Sequence, residues 1–337
     1  MRTLFALLLL IPAWSWAQAP RTWQKGLTTL NDGVPRYVEY LPAAPGKSTL
    51  VFTNGLVYDL RRWRDLTAKL EEKGYGVVLY YFRGQHRTLL AETETFGKPK
   101  FFRDGLEGGD FTDELFQLTE ALGLKKTTVV GLSYGAHIAA RYADAHPDRV
   151  ERLVFLAPLV VSLDKYDAQG AWIMQSLDWI KLWWGPFLGP YFYESAYRQI
   201  YSSYLAQRIL PDRVPEELRE IPDIYRESVF HLIRAVRSFD LRELEFKKLP
   251  AGSVTYILAQ EDEKRAFEDQ LKAARNVSPG RLQQLIYMPN SSHAIPDSQG
   301  AAAAHLLDLL IRDDARLQRG GASILDGDTL RPWTEAP

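Results

Sequence analysis

Hydrophobic positions fall into two alternating patterns along the chain. Continuous apolar runs at 49–53, 77–82, 127–132, 153–156 and 254–259 predict strands buried on both faces, because a strand with one wet face would alternate polar and apolar residues, and 282–288 reads as a further strand. Between them lie segments of helical periodicity at 62–73, 109–122, 136–146, 264–276 and 298–312, two of them stopped by Gly74 and Pro147. Before the first run, residues 26–41 read as two short strands about the turn Asn31-Asp32-Gly33. Strand–helix–strand at this spacing predicts a mostly parallel sheet with helices on both faces. The pattern breaks over 160–248, which is helical and aromatic with no strand signal, and resumes at 254. Residues 313–337 carry Gly, Asp and Pro and are expected to form a loosely held C-terminal tail.

The first 17 residues stand apart. Arg2 precedes an apolar stretch of about 13 residues that is too short to cross a bilayer, and Ser15-Trp16-Ala17 offers small residues where a signal peptidase reads. Residues 1–17 are therefore expected to be a signal peptide cleaved after Ala17 or Ala19, with an uncleaved anchor as the alternative. The mature chain is expected outside the cytoplasm, in the periplasm or secreted. It divides into 18–159 and 249–312, the two parts of one α/β core, with 160–248 as an insertion between them and 313–337 as the tail.

Composition narrows the chemistry. Among 337 residues, 41 Lys and Arg face 42 Asp and Glu, so the positive surplus that binds nucleic acid by counterion release is missing and no nucleic-acid partner is expected. Cysteine is absent, which removes disulfides, thiolate metal sites and cysteine nucleophiles. The sequence holds no HExxH, no P-loop and no Rossmann glycine pattern, so no metal, nucleotide or other cofactor is expected.

The chemistry lies at Gly131-Leu132-Ser133-Tyr134-Gly135, a G-x-S-x-G pentapeptide with the apolar strand before it and the helix after it. A serine on so tight a turn takes strained backbone angles, and the flanking glycines are needed where a Cβ would strike the neighbouring strand or helix. The turn lifts the hydroxyl above the sheet and places the Tyr134 N–H at a helix N-terminus, where it can meet a developing oxyanion.

On these residues the chain resembles the α/β-hydrolase fold family, in its large group of esterase- and lipase-like serine hydrolases with a helical cap, over about residues 26–312. The resemblance implies a catalytic triad in the order Ser, Asp, His. The acid follows the strand after the cap in a pattern like G-x-x-D; here Ala259-Gln260-Glu261-Asp262 makes Asp262 the match, with Glu261 or Glu263 the alternatives if the turn is shifted by one. The histidine follows the last core strand, which makes His293 the general base. A second oxyanion donor is implied after Phe52, where relatives commonly carry His-Gly-x and this chain has Asn54-Gly55-Leu56; the match is the Leu56 N–H, with Val57 the alternative. Dehalogenases and epoxide hydrolases of this fold place Asp at the elbow, where this chain has Ser133.

Of the six histidines, His137, His146 and His305 read as packing residues. His231 in the insertion and His86 in the loop after the second buried strand are candidates for substrate contact. The insertion is dense in rings: 12 of the 39 residues from 166 to 204 are aromatic. Such a segment either forms an apolar lid over the serine or buries its own small core, and its Trp and Tyr also suit transient contact with a membrane surface. The expected activity is hydrolysis of a small hydrophobic ester or acyl substrate through an acyl-Ser133 intermediate. The alternatives are an amide or peptide hydrolase of the same fold, or a non-catalytic binding protein.

Overall fold

The computed structural model describes residues 21–161, 176, 216–220, 222–262, 264–317 and 319–334. The strands in chain order are β1 Gln24–Thr29, β2 Pro35–Leu41, β3 Thr49–Thr53, β4 Gly76–Tyr80, β5 Thr127–Leu132, β6 Val150–Leu156, β7 Val254–Ala259, β8 Leu282–Met288, β9 Gly321–Asp326 and β10 Thr329–Pro332. All ten join in one sheet, ordered β1-β2-β4-β3-β5-β6-β7-β8-β9-β10. Pairing is parallel from β4 across to β9 and antiparallel for β1–β2, β2–β4 and β9–β10. The continuous apolar runs are the parallel strands β3 to β7, buried on both faces as their lack of alternation implies, and β8 follows with Gln283 and Gln284 buried as well.

The helices are α1 Arg64–Glu72, α2 His86–Phe96, α3 Phe101–Asp104, α4 Gly108–Ala121, α5 Gly135–Ala145, α6 Glu216–Arg219, α7 Pro222–Ala235, α8 Lys264–Arg275 and α9 Ile295–Ile311, the last broken at Gln299. Side chains alternate between two cores along each central strand. Val51 and Val129 pack with α4, α5, α7 and α8 on one face, while Leu50, Phe52, Val130 and Leu132 pack with α1 and α9 on the other. No helix among the described residues is long and apolar enough to cross a membrane.

Two elements differ from the sequence expectation. Residues 313–337 are not simply a loose tail: β9 pairs with β8 from Gln284↔Gly321 to Tyr287↔Ile324, and β10 folds back on β9. Leu325 is buried, the Gln284 amide donates to Ser323 Oγ at 2.6 Å, and Trp333 stacks on Tyr287 with centroids 5.2 Å apart. The turn Gly327-Asp328 reads locally as a loop, but here it closes a hairpin, with Gly327 at φ 57°. Helix α2 also escaped the periodicity. Its buried side includes Thr88, which donates to Tyr81 O at 2.6 Å, and Glu92, which pairs with Arg83 at 2.8 Å, so polar residues occupy the face that should read as apolar.

The insertion leaves and returns side by side. Val161 and Asp240 form an antiparallel bridge, and the Leu241 N–H donates to Val160 O at 2.7 Å. Helix α7 sits on the core through Tyr134 Oη, which donates to Leu232 O at 2.7 Å, and through Ser228 Oγ, which donates to Gly84 O at 2.5 Å. The aromatic-rich stretch 166–204 lies outside the described residues, Ser176 apart.

Candidate active site

The end of β5 turns into α5 within two residues, and Ser133 takes the inside of that turn at φ 50°. A non-glycine residue in this region carries strain of about 1–3 kcal/mol, so surrounding bonds must hold it. They do: the Ser133 N–H donates to Leu156 O at 3.0 Å, and its carbonyl receives the N–H of Ala136 at 3.0 Å and of Leu159 at 2.9 Å. Both glycines of the pentapeptide are sterically required. A Cβ on Gly135 would stand 2.1 Å from Thr53 O, and one on Gly131 would stand 2.8 Å from Ala136 Cα. Thr53 Oγ1 donates to Gly135 O at 2.7 Å, which locks the end of β3 to the elbow.

β8 and β7 deliver the other two groups. Beyond β8 the chain turns through Asn290 at φ 56°, and Ser291 binds it to the loop after β7: Ser291 Oγ donates to Met288 O at 2.6 Å, while Ser291 O accepts the Glu261 N–H at 3.1 Å. That lacing brings His293 Nε2 to 2.8 Å from Ser133 Oγ and His293 Nδ1 to 2.5 Å from Asp262 Oδ1. Asp262 is the carboxylate that reaches the imidazole. Glu261 is exposed, and Glu263 lies outside the described residues. The Asp262 side chain is 3 % exposed against 41 % for His293, so the acid is sealed while the base is reachable. Its second oxygen, Oδ2, accepts from Gln270 Nε2 at 2.9 Å, and the same amide nitrogen donates to Pro158 O at 3.1 Å. With Nδ1 donating to Asp262, His293 Nε2 is left to accept the Ser133 proton.

The sequence offered one signal for Gln270 that motif reading passes over. It occupies the buried stripe of α8 with Phe267, Leu271 and Ala274, and a glutamine among apolar positions at helical spacing needs a partner.

The two oxyanion candidates lie on adjacent strand ends, with Thr53 of β3 in register with Gly131 of β5. The backbone N–H groups of Leu56, Val57 and Tyr134 find no acceptor among the described residues. Three donors are thus left open at the C-terminal edge of the sheet, beside the serine turn. No group of three His, Asp or Glu side chains among the described residues is arranged to hold a metal ion.

The remaining histidines have other surroundings. His137 is wholly buried among Tyr134, Phe111 and Phe239, and its Nδ1 lies 2.6 Å from Tyr134 O. His146 stacks on Phe116 with centroids 4.5 Å apart, and His305 is half-buried on α9. His86 opens α2, buried against Tyr81 at 4.5 Å, and His231 is buried on α7 with its ring parallel to Phe102 at 5.6 Å. Both substrate-contact candidates are therefore buried.

The same arrangement of strands is found in known proteins. Residues 48–189 match the family model of the alpha/beta hydrolase fold. An enol-lactonase from Burkholderia xenovorans LB400 is similar at 19% identity and a TM-score of 0.60, over 85% of this chain and 100% of that one. A carboxylesterase of the thaumarchaeon Nitrososphaera gargenis is similar at 18% identity and a TM-score of 0.56, over 86% of this chain and 100% of its own. A bacterial membrane phospholipase A is similar at 16% identity and a TM-score of 0.58, over 86% of each chain. At these identities the likeness is one of fold. Sheet order, strand–turn–helix elbow and family match agree, and the chain has the α/β-hydrolase fold.

Proposed function

We propose that the protein is a serine hydrolase that cleaves a hydrophobic carboxylic ester through an acyl-Ser133 intermediate. The observation that carries this reading is the hydrogen-bonded relay from Asp262 through His293 to Ser133, 2.5 and 2.8 Å long, built from three separate strand ends. A serine hydroxyl attacks a carbonyl only when a base takes its proton, and His293 Nε2 is in position to do so. Asp262 fixes the tautomer and stabilises the imidazolium that forms. The tetrahedral oxyanion is met by the N–H of Tyr134 and by that of Leu56 or Val57. Collapse breaks the acyl–oxygen bond, and the alcohol leaves with the proton held on His293. Water then repeats the sequence: it gives its proton to His293, its oxygen bonds to the acyl carbon, and Ser133 is released with that proton.

An ester substrate is supported by the likeness to a carboxylesterase, an enol-lactonase and a phospholipase A, and its hydrophobic character by the aromatic density of 166–204. In this reading the aromatic residues of 166–204 bind the apolar part of the substrate and touch a membrane surface transiently. The reaction runs in the periplasm or outside the cell after removal of residues 1–17. Ser133→Ala and His293→Ala should each lower kcat on a p-nitrophenyl ester by roughly 10⁴–10⁶ with circular dichroism unchanged. A rate that survives either change would remove the assignment.

A further inference from the structure

We infer that Gln85 is a positioning residue of the oxyanion hole, clamping with one side-chain amide the two peptide planes that carry the Leu56 and Val57 N–H groups. The inference rests on the serine-hydrolase reading above and holds for either choice of donor.

Gln85 immediately precedes α2 and is 4 % exposed. Its backbone is fixed at both ends, the N–H donating to Phe82 O at 3.0 Å and the carbonyl accepting from Leu89 N at 2.9 Å. Its side chain crosses to the loop after β3, where Nε2 donates to Gly55 O at 2.6 Å and to Leu56 O at 3.0 Å. Gly55 O also receives the Tyr58 N–H at 3.2 Å. A trans peptide unit is planar, with its C=O and N–H pointing in opposite directions. Holding Gly55 O therefore fixes the direction of the Leu56 N–H, and holding Leu56 O fixes that of the Val57 N–H. Neither N–H has an acceptor among the described residues, so the carbonyl side of each plane supplies its anchorage.

The orientation of the glutamine amide is set in turn. Gln85 Oε1 accepts from Asn54 Nδ2 at 3.4 Å. Asn54 is fully buried, donates through the same nitrogen to Tyr58 O and accepts from Trp63 Nε1 at 2.9 Å through Oδ1. A reversed amide would set an oxygen against two carbonyl oxygens and an NH₂ against an NH₂. Trp63, Asn54 and Gln85 thus form a directional chain that ends on the two carbonyls. Oxyanion donors accelerate a reaction when they need no reorganisation as charge develops, and a strand-end loop with unpaired N–H groups lacks that property unless its carbonyls are held.

The test uses the full mature chain with Gln85→Met, which keeps the side-chain length and removes both polar ends, and Gln85→Glu, which keeps the acceptor for Asn54 and removes the donor. Both variants should lose kcat on a p-nitrophenyl ester by about 10- to 10³-fold, with KM within about threefold and, for the uncharged Gln85→Met, the pH–rate profile unmoved. The affinity of a boronic acid that forms a tetrahedral adduct should fall by a similar factor, a readout that a general loss of stability does not mimic. Crystal structures should show the 55–56 or 56–57 peptide rotated in Gln85→Met and unrotated in the parent. If methionine at this site unfolds the chain, the Gln85→Glu measurements decide alone. Variants with parent-like kcat, boronate affinity and peptide orientation would overturn the inference. If the parent itself shows no turnover, the hydrolase reading fails, and the peptide orientation in the crystals still judges the clamp.

Discussion

His137 is the residue from which a pH dependence follows with a definite sign and size. It lies on the helix that begins just after Ser133, wholly enclosed by rings at 4.4 to 5.7 Å, with Nε2 lacking a hydrogen-bond partner among the described residues. Burial pushes its pKa down to about 3, the nearby Arg141 charge adds to the depression, and the hydrogen bond with Tyr134 O opposes it. In the unfolded chain the same imidazole titrates near about 6.5. Between these two values the unfolded state holds one more proton than the folded state, so stability rises with pH and is lost on acidification from about 6.5 toward 3. One proton of difference is worth about 1.4 kcal/mol per pH unit, and integration from pH 7 to pH 5 gives about 2 kcal/mol. Guanidinium unfolding of the parent and of His137→Phe at both pH values measures this directly. The parent should lose about 2 kcal/mol more than the variant over that interval, because the carboxylates common to both cancel. Equal losses in the two proteins would refute the claim that this imidazole is held neutral by burial.

Other outcomes follow from the same packing. Gly135→Ala puts a Cβ 2.1 Å from Thr53 O, so the end of β3 and the elbow must part; a loss of about 1–3 kcal/mol and of most of the proposed ester turnover is expected, and a parent-like melt and kcat would contradict the contact. Ending the chain after Arg312 removes β9 and β10, bares the edge of β8 and strips Trp333 from Tyr287. Light scattering should then report association, and a monodisperse, cooperatively folding product would argue against it. If the substrate is hydrophobic, kcat/KM should rise with acyl length by up to about fourfold per CH₂, the ratio set by ~0.8 kcal/mol per buried methylene, and a flat series from acetyl to decanoyl esters would exclude an apolar pocket.

Much of the fold is legible because the central strands are buried twice over. Continuous runs such as 127–132 and 254–259 have no other ready interpretation when glycine and helix signals bracket them, and β5 and β7 occupy those residues. The pentapeptide is legible because it states steric necessities: glycine where Thr53 O and Ala136 leave no room, and serine where φ turns positive. Legibility fails where polar residues are buried against one another. Thr88 and Glu92 mask the apolar face of α2, and Gln270 interrupts that of α8, since each is satisfied by a partner in the segment that precedes its own helix, Tyr81, Arg83 and Asp262 in turn. The Asn54–Gln85 pair is invisible for the same reason: 31 residues separate two amides whose meaning lies in facing each other. β9 fails differently: only Ser323 and Leu325 of Gly321–Asp326 are buried, so it carries no continuous apolar run.

The most direct measurement is covalent. A fluorophosphonate reacts with a serine whose proton is drawn away by a neighbouring base, and peptide mass spectrometry locates the adduct. The folded chain should carry the phosphonyl group on Ser133 with one equivalent bound, and His293→Ala should abolish the reaction on the same timescale. Ester hydrolysis that continues while Ser133 stays unmodified, or labelling that is indifferent to His293, would contradict the assignment of nucleophile and base.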